Sequence, residues 1–197
     1  MTEKRNGNGL TPRQQAEVDS EWSPDADGIL RRSAARVLLF DSRGRIFLIR
    51  GHDVGDTEHS WWFTVGGGID AHEDPRDGAC RELLEETGLV LSPERLLGPV
   101  LRRHATFHFV LEMRRQDEEF FIAFVDDDEA ARVGKNHRLT ALEKEVLDEM
   151  RWWYPHDIVS VESSGTAHAT FYPRGIADLA GSLWAGWDGS CPEVWEE

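Results

Sequence analysis

Cysteine, long apolar runs and clustered positive charge are all scarce in this sequence, and each shortage excludes a class of protein. Cys80 and Cys191 are the only two cysteines in 197 residues, too few for a scaffold stabilised by disulfides. The first ten residues are polar and lack the apolar segment of a signal peptide, and no apolar run approaches the length that crosses a membrane. We therefore expect a cytoplasmic protein without a membrane partner.

Acidic residues outnumber basic ones. The chain has 37 Asp and Glu against 22 Lys and Arg, for a formal net charge of −15. Binding along a nucleic-acid backbone requires clustered Lys and Arg, so we expect no nucleic-acid duplex as a partner. A small phosphorylated substrate remains compatible with this charge, because a bound metal ion can reverse the sign of the potential in one pocket.

The N-terminal residues differ in composition from the rest of the chain. Residues 1–33 are rich in Asn, Gly, Asp, Ser and charge and poor in aliphatic side chains, which predicts a mobile arm with at most a short helix at residues 11–18. We place a single domain at residues 34–197 and expect the arm to be dispensable for the chemistry. Trp22 leaves an alternative open, because the arm of a homodimer can pack on the neighbouring subunit.

Short apolar runs bounded by turn residues predict the strands. They lie at residues 36–40, 45–50, 61–65, 98–109, 118–125 and 151–154. Loops are predicted at residues 51–60, 114–117 and 126–138, and helices at residues 142–150 and 171–184. Together with a further helix after Asp74, this order predicts an α/β fold in which helices cover both faces of a mixed sheet.

Residues 67–89 combine a glycine turn with a strongly marked helix. Gly66, Gly67 and Gly68 can adopt positive φ and let the backbone approach a ligand closely. Asp74 is predicted to be the N-cap of the helix, and Gly88 is the residue expected to end it. The segment therefore predicts a loop, a helix and a second loop in succession.

Three glutamates recur along this helix at spacings that bring their charges together. Glu82, Glu85 and Glu86 are expected to point away from the apolar face that carries Leu83. Like charges at these spacings destabilise a helix by about 0.2–0.5 kcal/mol per pair. Mg²⁺ would compensate for them, because it binds through a few carboxylates together with substrate phosphates. The alternative is a solvated acidic surface, but the glycine turn and the caps accompany these glutamates.

The segment resembles the signature of the Nudix hydrolases, G-x5-E-x7-R-E-U-x-E-E-x-G-U with U aliphatic, and matches every specified position. The resemblance extends over residues 34–185 and implies an α/β/α sandwich with a mixed sheet, in which the motif forms a loop-helix-loop. It also implies Mg²⁺ or Mn²⁺ as the cofactor. The metal ligands would be drawn from Glu73, Glu82, Glu85 and Glu86.

The resemblance further implies catalytic roles for Glu82, Glu86 and Arg81. Glu82 is the first choice for the general base. Arg81 is expected to orient a neighbouring glutamate through charge-assisted hydrogen bonds. Members of the family often add an acid from a later loop, and the candidates here are Glu143, Glu145 and Glu149.

Substrate contacts are predicted from backbone and from cations. Gly67 and Gly68 are expected to approach the substrate, and Arg50 and Arg103 to contact its phosphates. Arg102 is the alternative to Arg103, because adjacent residues of a strand face opposite sides of the sheet.

The expected function is hydrolysis of the pyrophosphate linkage of a nucleoside diphosphate joined to another moiety, such as a nucleotide sugar, a dinucleotide or a nucleoside triphosphate. The main alternative is a catalytically silent domain of this fold that binds nucleotides or regulates, although no motif glutamate is missing. An isomerase of isoprenoid diphosphates would need a cysteine in the pocket, whereas Cys80 is expected in the core. A structural Ca²⁺ site is disfavoured because the D-x-[DN]-x-[DN]-G pattern is absent.

Overall fold

The computed structural model describes residues 5–6, 9–109, 112–165 and 170–197. The part of the predicted arm at residues 1–4 and 7–8 lies outside the described residues. The strands are β1 (Ser23–Pro24), β2 (Leu30–Phe40), β3 (Ile46–Asp53), β4 (Asp56–Gly68), β5 (Leu97–His108), β6 (Met113–Phe124), β7 (Leu147–Trp153) and β8 (Glu193–Glu196). The α-helices are α1 (Pro12–Glu21), α2 (Pro75–Thr87), α3 (Asp127–Ala130), α4 (Glu143–Val146), α5 (Pro155–Ser164) and α6 (Ile176–Ala185).

These strands form one mixed sheet. Its order is β7-β3-β4-β2-β6-β5-β8, and β1 pairs with β2. The β2–β6 and β5–β8 pairs are parallel, whereas the other neighbours along this order are antiparallel. Strand β2 therefore lies near the centre of the sheet, where both of its faces can be buried.

Helices cover both faces of the sheet. Side chains alternate along β2, so Val37 packs in one buried cluster with Leu83 of α2. Leu38 packs on the opposite face in a cluster with Ile158 of α5 and Leu183 of α6. The arrangement confirms the predicted α/β/α sandwich with a mixed sheet.

Two of the predicted loops belong to strands. Residues 114–117 lie within β6, and most of residues 51–60 lie in the β3–β4 hairpin. Their polar composition suggests loops, but ion pairs satisfy the polar side chains of β6. Asp117 pairs with Arg31 at 2.7 Å, and Glu118 pairs with Arg36 at 3.0 Å. Pairing of charged side chains between strands thus replaces the apolar pattern expected of a strand.

The prediction of a helix at residues 142–150 is wrong for most of that range. Only Glu143–Val146 is helical, and Leu147–Trp153 forms β7, which pairs with β3 and places Met150 opposite Ile49. Sheet pairing here overrides a helical spacing of apolar residues, as tertiary contacts commonly do. The last predicted helix begins at Ile176 instead of residue 171.

The described part of residues 1–33 packs on the domain, whereas the sequence predicts a mobile arm. Helix α1 begins with a reciprocal capping box between Thr11 and Gln14. Leu10, Val18 and Trp22 are buried in a cluster of their own, which Leu142 and other partly buried residues contact. The segment has few apolar residues, but these three lie on one side of it.

None of the helices in the described residues is long and apolar enough to span a bilayer.

Candidate active site

Helix α2 is fixed at both ends by the residues predicted to cap it. The side chain of Asp74 accepts a hydrogen bond from the backbone N–H of Arg76 at 2.9 Å, and Pro75 is the first helical residue. Gly88 has a left-handed φ of 75°, and its N–H donates to the Leu84 carbonyl at 2.8 Å. These contacts set where the helix starts and stops, and so which side chains it turns toward the sheet.

Two motif glutamates lie on the buried face of α2. Glu82 is 8% exposed and Glu86 is 3% exposed, alongside Ala79 and Leu83. The prediction that they point away from the apolar face is therefore wrong. The reason is helical spacing, since residues three, four and seven positions apart fall on one stripe. Glu85 lies at the edge of this stripe and is partly exposed.

The glycine turn packs against these two carboxylates. The N–H of Gly66 donates to Oε2 of Glu86 at 2.7 Å. Gly66 has a φ of 129°, and a Cβ on it would lie 2.1 Å from the Ala35 carbonyl oxygen. A Cβ on Gly67 would lie 2.6 Å from the Glu82 carboxylate. Glycine is needed at both positions because a side chain would clash with the backbone or displace the carboxylates.

Arg81 connects the acidic residues of the motif to one another. Its Nε and Nη2 donate to the two carboxylate oxygens of Glu73 at 3.0 and 2.9 Å, and its Nη1 donates to Oε1 of Glu82 at 2.6 Å. Nη1 is also 3.5 Å from Glu85, and Nη2 donates to the Gly68 carbonyl at 2.8 Å. These hydrogen bonds lower the pKa of Glu73 and keep it ionised. Arg81 thus fixes the carboxylates relative to the glycine turn.

The buried glutamates carry negative charge that the protein compensates only in part. Burial raises the pKa of Glu82 to about 7, although hydrogen bonding from Arg81 opposes the change. Burial also raises the pKa of Glu86 well above its ordinary value, and the charges of Glu82 and Glu143 raise it further. Two carboxylates in one poorly solvated place are stable as anions only with an additional positive charge nearby.

A divalent cation of the hard, oxygen-binding type fits this donor set. In the described residues, no three His, Cys, Asp or Glu side chains already converge as metal ligands. Oε1 of Glu82 is instead bonded to Arg81, and Oε2 of Glu86 to Gly66. Glu82, Glu85 and Glu86 nevertheless line one cavity, and Glu82 and Glu86 are buried there.

A cavity of about 280 Å³ adjoins these carboxylates. Strands β2 and β4 pair over four positions, from Ala34–Gly68 to Val37–Val65. Residues of this paired segment, Arg36 and Gly66 to Gly68, line the cavity. Its lining combines acids, cations and aromatic rings. The acids include Glu82, Glu85, Glu86 and Glu143; the cations include Arg32, Arg36, Arg81, Arg103 and Arg114; and the rings include Trp22, Trp61, Phe63, Phe107, Phe109 and Tyr172.

Several predicted site residues meet in this cavity. Gly67, Gly68, Arg81 and Arg103 line it together with the three motif glutamates of α2, whereas Glu73 reaches the cluster through Arg81. Arg103 is buried and already paired, since its Nε donates to Glu118 at 2.5 Å and its Nη1 to Glu196 at 2.9 Å. Arg102, its strand neighbour, is exposed and pairs with Glu119.

The structure does not bring the other predicted residues to the cavity. Arg50 lies 3.7 Å from both Asp148 and Glu149, and these residues are not among the described ones that line the cavity. Glu145 accepts hydrogen bonds from Arg5 and Gln14 at 3.1 and 2.7 Å. Among the three candidate late acids, Glu143 is the one that lines the cavity.

Sequence reasoning missed three arginines of the cavity, Arg32, Arg36 and Arg114, and the ring of Trp22. Arg32 falls in the predicted arm and Arg114 in a predicted loop. The signal that could have found them is alternation, because Arg32 and Arg36 are four residues apart on β2, and Arg114 is four residues before Glu118 on β6. Each pair therefore shares one face of its strand.

Known proteins resemble this chain in sequence. The NUDIX domain profile matches residues 30–175. The RNA pyrophosphohydrolase of Bartonella quintana is 42% identical over 63 residues, which cover 29% of this chain and 36% of that protein. Diphosphoinositol polyphosphate phosphohydrolase 3-alpha of Mus musculus is 29% identical over 100 residues, covering 49% of this chain and 58% of that protein. The chain thus spans between 36% and 58% of the length of these relatives.

A solved structure agrees at the level of the fold. The crystal structure of a C. elegans Ap4A hydrolase binary complex superposes with a TM-score of 0.50 at 14% identity, covering 78% of this chain and 96% of that one. The profile match includes β2 to β7 and extends over well more than half of the chain. With the complete motif and the sandwich around it, this chain belongs to the NUDIX domain family.

Proposed function

We propose that this protein is a divalent-metal-dependent hydrolase that cleaves the pyrophosphate linkage of a nucleoside diphosphate joined to another moiety. The observation that carries the proposal is the pair of buried carboxylates, Glu82 and Glu86, beside a cavity that also contains arginines. A metal ion would neutralise the pair, and a diphosphate would be attracted by both the metal and the arginines. The two relatives above are an RNA pyrophosphohydrolase and a diphosphoinositol polyphosphate phosphohydrolase, and hydrolysis of a phosphoanhydride bond in both supports the same bond type here.

Glu85 and Glu86 would hold Mg²⁺ or Mn²⁺, with Glu82 either as a third ligand or as the base, and Glu73 would support them through Arg81. When bound, such an ion polarises a phosphoryl oxygen and lowers the pKa of a coordinated water molecule. Arg81 keeps Glu73 and Glu82 in place. Gly67 and Gly68 leave room for the substrate, because neither carries a side chain into the cavity.

Glu82 is the proposed acceptor of the proton from the attacking water. Its carboxylate lines the cavity and is held there by Arg81, as a general base must be held within reach of the proton that it accepts. Oε1 accepts the Arg81 hydrogen bond, so Oε2 is the oxygen assigned to the proton. Glu143 is the second candidate, because it lines the same cavity from the later loop.

The isomerase alternative is disfavoured by the position of Cys80. This thiol packs beside the cluster under α2 and is not among the described residues that line the cavity. Burial raises its pKa to about 11, so it is a poor proton donor or nucleophile at neutral pH.

The test is a panel of substrates with Mg²⁺, with Mn²⁺ and with a chelator. The panel contains nucleotide sugars, dinucleoside polyphosphates, nucleoside triphosphates and a 5′-triphosphorylated oligonucleotide. Released phosphate is measured with and without added phosphatase, so that phosphomonoester products are also detected. Metal-dependent turnover that Glu86→Gln abolishes and Glu94→Gln retains supports the proposal, since Glu94 is exposed on the 3₁₀ turn at Pro93–Arg95. Binding of nucleotides without turnover of any of them would favour the silent binding domain.

A further inference from the structure

The N-terminal segment contributes directly to the wall of the cavity. Leu10, Glu21 and Trp22 are among the lining residues, and Trp22 is 8% exposed. The guanidinium carbon of Arg32 is 4.3 Å from the centre of the Trp22 ring, and that of Arg114 is 4.9 Å away. Both distances are within cation–π range. One aromatic side chain therefore contacts two of the arginines that sequence reasoning missed.

The sheet brings these two arginines to the same ring. Strands β2 and β6 are parallel, with Leu30 opposite Arg114 and Arg32 opposite Gln116. The Nε of Arg32 also donates to the Gln116 side chain at 2.6 Å. Arg32 and Arg114 are thus held by neighbouring strands, and Trp22 restricts the free ends of their side chains.

Arg32 lies next to the glycine turn of the motif. A Cβ on Gly68 would be 3.2 Å from Nη1 of Arg32 and 3.4 Å from Oε2 of Glu21. The positive charge of Arg32 also acts on Glu82, whose pKa it lowers against the effect of burial. Arg32 is therefore close to Glu82, and Arg114 lines the same cavity.

The present partners of the two arginines are carboxylates at the rim of the cavity. Arg32 pairs with Glu21, whose side chain is 42% exposed, and Nε of Arg114 pairs with Glu112 at 2.8 Å. Arg36 and Arg103 differ, because both are bonded to the fully buried Glu118. A carboxylate that can return to water is displaced more easily from a guanidinium than one that cannot, and phosphate has the matching two-oxygen geometry.

We propose that Trp22 is a positioning residue for the substrate: it holds Arg32 and Arg114 as a phosphate-binding pair beside Glu82. On binding, a substrate phosphate replaces Glu21 on Arg32 and Glu112 on Arg114. The assignment of the ligand as a diphosphate-containing nucleotide rests on the proposed function, whereas the assignment of the anion-binding pair rests on the geometry alone.

The first test measures binding of inorganic pyrophosphate by calorimetry in the presence of a chelator, at fixed ionic strength. Arg32→Gln and Arg114→Gln should each weaken binding about 10-fold, as expected for loss of a charge-assisted contact. Trp22→Leu, which keeps apolar volume but removes the ring, should weaken it about 5-fold, whereas Trp22→Phe should stay within about twofold. Arg102→Gln is the matched control, because it removes the same charge from an exposed side chain outside the cavity.

The second test separates positioning from folding. On a substrate that the wild type turns over, Trp22→Leu should raise KM about 5-fold and leave kcat within about twofold. In the Arg32→Gln, Arg114→Gln background, Trp22→Leu should have no further effect on pyrophosphate binding. A further loss there would mean that Trp22 acts only through stability, which overturns the inference. If near-UV circular dichroism shows that Trp22→Leu does not fold, the inference is tested by pyrophosphate binding to the Trp22→Phe, Arg32→Gln and Arg114→Gln variants.

The outcomes of the two proposals are distinguishable. Pyrophosphate binding that depends on Arg32 and Arg114, with no turnover of any panel substrate, contradicts the proposed function alone. Metal-dependent turnover, with pyrophosphate binding unchanged in both arginine variants, overturns the phosphate-binding pair alone.

Discussion

The backbone N–H of Gly66 donates to Oε2 of Glu86 at 2.7 Å. This contact joins the end of β4 to the last full turn of α2, and it gives a buried carboxylate one fixed donor. It does not neutralise that carboxylate, because the pKa of Glu86 is still well above its ordinary value through burial and the nearby Glu82. Glu86 therefore helps to position the glycine turn and also remains available for a cation.

Glu86→Gln should fold normally and lose at least about 10²-fold in kcat, the scale of removing one strong electrostatic contributor. The amide oxygen of glutamine can still accept the Gly66 hydrogen bond, so the turn should be preserved. The check is kcat at saturating metal and substrate, together with circular dichroism of the folded state. Near-normal kcat in this variant would remove Glu86 from the catalytic centre.

Metal binding should stabilise the wild type more than the glutamine variants. Millimolar Mg²⁺ should raise the melting temperature of the wild type through preferential binding to the folded state, and the shift should be smaller in Glu82→Gln and Glu86→Gln. In chelator, the same variants should be as stable as the wild type or slightly more so, because each removes a buried like charge. Melts of the three proteins with chelator and with Mg²⁺ test this, and equal Mg²⁺ shifts would place the ion elsewhere.

The motif helix is predictable because its determinants are local. Asp74, Pro75 and Gly88 act on adjacent backbone groups, so their roles follow from their order alone. The burial of Glu82 and Glu86 is harder to predict from the sequence, because an acidic pair suggests a solvated face as long as the packing of the helix on the sheet is not known. Packing of α2 against the neighbouring strands determines whether these acids are buried together with Leu83.

The cationic part of the cavity depends on long-range pairing. Arg32 and Arg114 meet only because β2 and β6 run parallel in one register, and no local pattern gives that register. Arg50 shows the converse, since its place at the end of a predicted strand suggests a site contact, whereas pairing of β3 with β7 places it beside Asp148 and Glu149. Residues whose partners come from distant strands are thus the least predictable part of the site.

Removal of the N-terminal segment should impair both stability and substrate binding. A chain that starts at Ser23 loses the buried Leu10, Val18 and Trp22. At about 1.5–3 kcal/mol per buried apolar side chain, this loss should lower the unfolding free energy by up to about 4.5–9 kcal/mol. The truncated chain should also have a raised KM, because Trp22 is absent. Urea unfolding and steady-state kinetics measure the two effects.

A chain that starts at Gly9 is the matched control for this truncation. It keeps α1 and the buried cluster. It loses the ion pair between Arg5 and Glu145, worth less than about 1 kcal/mol, and the hydrogen bonds of Asn6 with Leu10 and Gln15, worth about 1 kcal/mol each. Its unfolding free energy should therefore fall much less than that of the chain that starts at Ser23, and its KM should stay close to that of the full chain. If the chain that starts at Ser23 also matches the full chain in both measurements, the segment is dispensable, as its composition alone predicts.

Glu118 should make a pH-dependent contribution to stability. Its side chain is fully buried between Arg36 and Arg103, at 3.0 and 2.5 Å. Burial acts to raise its pKa, but the two guanidinium groups outweigh burial and hold the pKa below its ordinary value. A depressed pKa in the folded state means that the stabilisation is fully present above the unfolded-state pKa, and that it is lost as the pH falls toward the folded-state value.

Glu118→Gln should therefore destabilise the protein by about 3–5 kcal/mol at pH 7, since it leaves two buried arginines without their shared carboxylate. The difference in unfolding free energy between wild type and variant should shrink as the pH falls below about 4.3, the ordinary pKa of a glutamate. Urea unfolding of both proteins at pH 7, 5, 4 and 3 measures this difference, and the other carboxylates cancel because both proteins contain them. A difference that stays constant across the series would show that the Glu118 carboxylate does not account for the loss of stability in acid.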